Sequence, residues 1–175
     1  MSEQAVETSS AIEKWGGFET RGLLKQDGVS KVLTFLLATE EYAIDILFIE
    51  EITRPFAVTY VPRVAPYILG VVSLRGRVIP ILNLHARLGL ASFVPGDKNR
   101  FVICQMERSE VGIVVDKVSD VVNLTSDQLQ APPAKIAASG SGFIKNIGRV
   151  KDRILIILDV EKVLRIHQET GPSAE

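Results

Sequence analysis

The chain contains one cysteine, Cys104, which excludes an intrachain disulfide. The only two histidines, His85 and His167, sit at ligand spacing neither from each other nor from Cys104, so a zinc set is excluded as well. Aromatic residues make up 6%, and 20 basic residues face 21 acidic ones for a formal charge of -1. That leaves neither a stacking surface nor a charge excess to drive binding to nucleic acid or to an anionic membrane. No apolar run approaches the roughly 20 residues that span a bilayer. Met1-Ser2-Glu3-Gln4 lacks the basic region and apolar core of a signal peptide, so a cytoplasmic location is expected. The chain has no Gly-rich phosphate loop followed by Lys-Ser/Thr and no Gly-x-Ser-x-Gly nucleophile turn. The acids Glu40, Glu41, Asp45, Glu50 and Glu51 read as a solvated face or a charged rim, because nothing in the sequence separates their pKa values for acid–base work. The expectation is therefore no enzyme, no cofactor and no metal.

What is present is a core. Hydrophobic residues make up 46% and charged residues 23%, the balance of a well-packed globular chain. Residues 70–84 carry a charged Arg75-Gly76 turn between two apolar strands. Gly76 supplies the positive φ of a tight hairpin, while Val71, Val72 and Leu74 on one side and Val78 to Leu82 on the other supply strand-forming bulk. Arg75 and Arg77 are pushed toward water, and Pro80, which cannot donate to a ladder, predicts an edge or a bulge. Val32-Leu33-Thr34-Phe35-Leu36-Leu37 and Phe101-Val102-Ile103-Cys104 show little alternation, so both faces of these strands must be covered. Cys104 reads as a small buried hydrophobe.

The chain also matches itself. Tyr67 to Leu88 aligns with Phe143 to Leu164 at a constant offset of 76, which sets Arg75 against Lys151, Arg77 against Arg153 and Asn83 against Asp159. Upstream, an offset of 69 sets Glu41 to Ile44 against Glu110 to Ile113, Ile49 against Val118 and Glu51 against Asp120. Two windows in the same order point to a duplication, with repeat halves at about 32–88 and 101–164 and a two-lobed, all-β architecture. Helices are short: Asn83 caps Leu84 to Leu88 with Gly89 ending the turn, and Asp159 caps the segment from Val160, whose Val163, Leu164 and His167 fall on one face. Residues 1–30 have the composition of a flexible tail, with a weak capping box at Ser10 to Glu13 and Trp15 and Phe18 as possible anchors; 168–175 reads as a second tail.

Three ordered blocks carry a family resemblance: Gly70 to Leu84 with its Leu74-Arg75-Gly76, Tyr42 to Ile52, and Val111 to Val121. Together they resemble the CheW family of chemotaxis coupling proteins from roughly Val32 to Leu164, although Ser73 stands where the family usually has Asn. The resemblance implies a CheW-like domain over 31–167 built as two five-stranded SH3-like barrels packed together. It also implies a non-catalytic adaptor joining chemoreceptor cytoplasmic tips to the regulatory domain of the CheA histidine kinase, in arrays at the inner face of the membrane. Carried over by position, the receptor-binding residues are Ile49, Glu51, Gly70, Arg75, Gly76, Val118 and Val121, meeting at the seam between lobes. Kinase contacts are not assigned. Asn146 departs from the family's usual Gly, and the loop from Gln128 to Ala137, with Pro132-Pro133, has few matching residues. Two other readings stay open: a CheW-like adaptor of twitching motility or a developmental pathway, and a small-barrel nucleic-acid-binding protein.

Because residues 1–30 lack a periodic apolar face, their removal is expected to leave the melting transition within a few degrees of the intact chain. A drop of many degrees on thermal denaturation would place Trp15 or Phe18 in the core.

Overall fold

The β-branched and aliphatic runs form strands, and the turn residues between them set the hairpins. The computed structural model describes residues 28–138 and 142–166. The tail assignments for 1–30 and 168–175, the capping box at Ser10 to Glu13, the anchors Trp15 and Phe18, and His167 fall wholly or mostly outside the described residues. In chain order the strands are β1 (Val29–Leu37), β2 (Glu40–Asp45), β3 (Ile49–Thr53), β4 (Ile68–Leu74) and β5 (Arg77–Asn83), then β6 (Arg100–Gln105), β7 (Glu110–Val115), β8 (Lys117–Thr125), β9 (Leu129–Gln130), β10 (Ile144–Val150) and β11 (Arg153–Leu158). The helices are single turns: α1 (Leu84–Leu88), α2 (Ala134–Ala137) and α3 (Val160–Val163). The Asn83 side chain accepts from the Ala86 N–H, Asp159 accepts from the Lys162 N–H, and Gly89 closes α1 at φ 69°.

Two sheets result, ordered β8-β1-β2-β11-β10-β9 and β3-β6-β7-β5-β4. When the halves are aligned by their offsets, β1 to β5 correspond to β6, β7, β8, β10 and β11, and the two strand orders coincide apart from the two-residue β9. The halves do not map one to each lobe. Each sheet takes its central hairpin from one half and its other three main strands from the other half, joined through the parallel pairs β2–β11 and β5–β7. Alternation fixes which face a side chain takes but not which strand lies alongside, so this exchange has no signature in the periodicity.

Strands apolar on both faces serve two cores. Leu33, Phe35 and Leu37 from the first sheet and Val102 and Cys104 from the second share one cluster between the sheets. Val32, Ala43, Leu124, Leu155 and Ile157 fill the first sheet's own interior, and Val72, Ile79, Ile81, Phe101, Ile103 and Val114 fill the second's. Each fully buried Leu, Ile or Phe contributes roughly 1.5–3 kcal/mol of transfer free energy. Pro80 departs from expectation: β5 is interior to its sheet, and the register shift lies on β4 between Ile68 and Gly70. Pro80 is accommodated because pairing with β7 begins only at Ile81, so the missing N–H falls where β5 has a single neighbour.

Arg87 joins the halves. Its guanidinium lies 4.0 Å from the ring centroid of Tyr67 and 4.9 Å from that of Phe143, residues that match at the offset of 76. It also donates to three carbonyls at the end of α3: Val163 at 3.2 Å, Lys162 at 3.3 Å and Arg165 at 2.8 Å. A planar five-donor fork is what this geometry requires.

Arg87→Ala is expected to lower the unfolding free energy by about 2–3 kcal/mol, from the lost cation–π contacts and the uncapped carbonyls. Arg87→Lys should recover less than half of the loss, because an ammonium cannot fork. Urea denaturation of the three proteins measures both.

Candidate functional site

The Arg75-Gly76 turn forms as its residues require, with φ 50° at Arg75 and 80° at Gly76, both positive as in a type I′ hairpin. The Arg75 Nη2 donates to Glu51 Oε1 at 3.2 Å; the arginine side chain is 60% exposed and the glutamate 10%. Glu51 lies on β3, an edge of the sheet, and the tip belongs to the hairpin at the opposite edge, so this ion pair spans the curl of the sheet. Next to it Arg77 bonds Glu110 and, at 3.4 Å, Glu50. The second carboxylate oxygen of Glu50 is buried with no hydrogen-bond partner among the described residues.

The first sheet repeats the arrangement with different partners. Lys151 occupies the tip at φ 54°, but here Arg153, the match of Arg77, reaches across. It donates to Glu41 at 3.0 and 2.7 Å and to Asp120 at 3.3 and 3.1 Å. The Thr34 hydroxyl donates to the Asp120 carboxylate and accepts the Asp120 N–H at 3.1 Å, filling the register shift between Leu33 and Phe35. Burial works to raise the Asp120 pKa, but the hydrogen bonds from Arg153 and Thr34 and the charge of Arg153 outweigh it and hold the carboxyl below the usual aspartate range. Its hydrogen bonds to Glu41 and then to Asp120 raise the pKa of Arg153 and keep it charged. Elsewhere, burial pushes the Cys104 thiol up to about 12, which leaves it inert at neutral pH.

The seven sequence-derived residues fall into three groups. Ile49 and Val118 are buried and Val121 half-buried, all against the cluster between the sheets. Glu51, Arg75 and Gly76 form the rim just described, with Glu51 linked to Ile49 along β3. Gly70 stands apart from both. An added Cβ would lie 2.3 Å from the Thr59 carbonyl oxygen, because the loop before β4 crosses here and Thr59 pairs with Val71. Of the acidic cluster only Glu40 is fully exposed: Asp45 is half-buried, Glu51 is buried, and Glu41 and Glu50 are paired with arginines brought from distant hairpins, which makes a charged rim more than a solvated face. The ties of Arg77 to Glu110 and of Arg153 to Glu41 went unread in the sequence, although the offsets set Arg77 against Arg153 and Glu110 against Glu41.

A groove of about 930 Å³ opens beside the turn between β6 and β7, its lining including Phe48, Val78, Pro80, Met106, Glu110 and Arg165. Among the described residues no three His, Cys, Asp or Glu side chains gather as a metal site would need, and no helix is long and apolar enough to cross a membrane.

With this geometry in place, comparison with known proteins gives a consistent result. Residues 31–168 match the family model described as a CheW-like domain. The chain is similar to the chemotaxis protein CheW of Treponema pallidum, 35% identical over 137 residues, covering 76% of this chain and 81% of that protein. It is also similar to the chemotaxis protein CheW of Bacillus subtilis, 33% identical over 144 residues, covering 82% and 91%. The crystal structure of the scaffolding protein TtCheW from Thermoanaerobacter tengcongensis superposes with a TM-score of 0.73 at 24% identity, covering 82% of this chain and 97% of that one.

The depressed Asp120 carboxyl carries a pH signature. Its contribution to stability is fully present above the ordinary aspartate value of about 3.9 and is lost as pH falls through the lower folded value. Asp120→Asn is expected to cost about 1–2 kcal/mol near neutrality, allowing for its partial exposure, and to flatten the acid limb of the stability curve. Denaturant titrations from neutral pH down to about pH 2 check this; an unchanged acid limb would place the acid sensitivity elsewhere.

Proposed function

Since the chain belongs to the CheW-like family, we propose that it is the adaptor that couples the cytoplasmic tips of chemoreceptors to the regulatory domain of the CheA histidine kinase. It works as a chemotaxis scaffold and not as an enzyme. The reading rests chiefly on one observation, the family match over nearly the whole described chain. In it the protein is cytoplasmic and is recruited to receptor arrays at the inner face of the membrane.

The receptor hairpin, a helical bundle, docks along the seam between the sheets. Ile49, Val118 and Val121 line the apolar floor from both sheets, and Arg75 meets an acceptor on the receptor helix. Glu51 occupies one side of the guanidinium, and the exposed remainder of Arg75 keeps donors for the partner. Gly76 allows the turn, and Gly70 keeps the β4 edge in place beneath Thr59. The kinase domain uses a separate surface.

Arg75→Gln tests the assignment. Glutamine keeps a hydrogen-bond donor for Glu51 and avoids setting a carboxylate against it, so the variant should melt within a few degrees of the parent. Its affinity for a receptor cytoplasmic fragment should fall by about tenfold or more, equivalent to about 1.4 kcal/mol, while kinase regulatory-domain affinity stays within about twofold. Two calorimetric titrations decide the matter. Unchanged receptor affinity in a folded variant would remove Arg75 from the site.

A further inference from the structure

The two matching hairpins differ most in the charge of their outward faces. On β10 and in the turn after it, Lys145, Arg149 and Lys151 are exposed and Ile147 is half-buried, while Gly148 is buried and Val150 packs on the first sheet's own core. Past the register shift between Ile144 and Asn146, alternation turns Ile147 and Arg149 away from the first sheet's own core, and Lys145 at the shift and Lys151 in the turn are exposed beside them. The register sets Arg149 beside Ile154 and Ile147 beside Ile156 on β11, and paired residues share a face; Ile156 packs on the cluster between the sheets, so the face runs from the seam out to Ile154. Ile154 is 60% exposed, so an aliphatic side chain stands in water flanked by cations.

The matching positions on the other hairpin, Leu69, Ser73, Arg75 and Val78, hold one cation, and that one is tied to Glu51. On β10 and its turn none of the three cations has a side-chain ion pair or hydrogen bond with a described residue. Asp152 in the turn and Glu40 on β2 are the nearest acids by sequence and register, and neither pairs with them. Arg153 is held away by Glu41 and Asp120. Lys145 to Lys151 spans roughly 20 Å of strand at about 3.3 Å per residue, long enough for two or three turns of a helix or a short extended segment.

We infer that this outward face of β10 and β11 is a docking surface for an acidic protein segment carrying an apolar side chain that packs on Ile154. Cations without an acidic partner among the described residues, set around an exposed aliphatic centre, match the charged rim and apolar middle of a protein interface. The face holds no aromatic ring on which a base could stack, which disfavours single-stranded nucleic acid. The inference does not depend on the receptor assignment, whose residues are Ile49, Val118 and Val121 along the seam and Glu51, Gly70, Arg75 and Gly76 on the other sheet, none of them on β10 or β11.

The full chain is titrated by fluorescence anisotropy with a labelled peptide of about 18 residues, glutamates with a leucine at every third or fourth position, at about 50 mM salt. Saturable binding that weakens with added salt is expected. The triple variant K145Q/R149Q/K151Q should lose about tenfold or more in affinity and Ile154→Ser about threefold, while Arg75→Gln stays within about twofold. Melting curves verify folding, and Arg149→Gln alone, losing at least about twofold, guards against a misfolded triple variant. No saturable binding, or binding indifferent to the triple variant, overturns the inference. So does tighter binding of a thymidine oligonucleotide or of phosphatidylserine vesicles through the same residues, which would assign the face to a different partner class.

Discussion

A sheet that curls on itself must bring its two edges together, and in this protein an arginine at a hairpin reaching an acid on the far edge strand makes that tie. Arg75 to Glu51 does so in one sheet and Arg153 to Asp120 in the other. Exposed ion pairs contribute little to stability, but an acid withdrawn from water cannot be left alone cheaply. Glu51, on the inner side of the pair, is therefore a constraint on the position of the tip more than a source of stabilisation. From that constraint follows the placement of the strands whose other faces fill the cluster between the sheets.

Much of this was legible in the sequence. Strands without alternation announced two covered faces, and Leu33 and Val32 indeed serve different cores. The caps at Asn83 and Asp159 and the Arg75-Gly76 turn could be read because capping and positive φ are local chemistry. What could not be read is pairing at a distance. The exchange of central hairpins between halves leaves every alternation pattern intact, and the burial of Glu51 depends on an arginine that only the closed sheet brings near. Of the seven residues proposed to bind the receptor, the apolar members are found in one cluster and Arg75, Gly76 and Glu51 on one rim, whereas Gly70 is confined by the passage of Thr59.

The matching position Asn146 shows how one geometry can be met by different chemistry. At Gly70 the crossing segment lies so close that no Cβ fits. At Asn146 the crossing strand is β9, and the asparagine side chain donates to the Gln130 carbonyl at 3.4 Å. Both hairpins carry a register shift at this point and both receive an extra backbone segment just beyond it, Thr59 on Val71 and Gln130 on Ile147. The departure from glycine is thus accommodated within the fold, because the second crossing leaves room for a side chain and uses it.

Where the halves meet, equivalence cannot be kept. Tyr67 and Phe143 match across the repeat and present their rings to the same place, and only one guanidinium fits there. Arg87 supplies it from the first half, and the residue that matches Arg87 in the second half, Val163, contributes a carbonyl to it. One side chain thereby ties α1 to the end of α3, adding to the strand pairs β1–β8, β2–β11, β3–β6 and β5–β7 that hold the two halves in a single relation. A partner lying along the seam meets surfaces already set relative to one another, so less of the interaction free energy is lost to ordering them on binding. The same fixed relation holds apart the paired tip of one hairpin and the cations of the other, which have no acidic partner among the described residues, so one duplicated scaffold offers two different electrostatic faces.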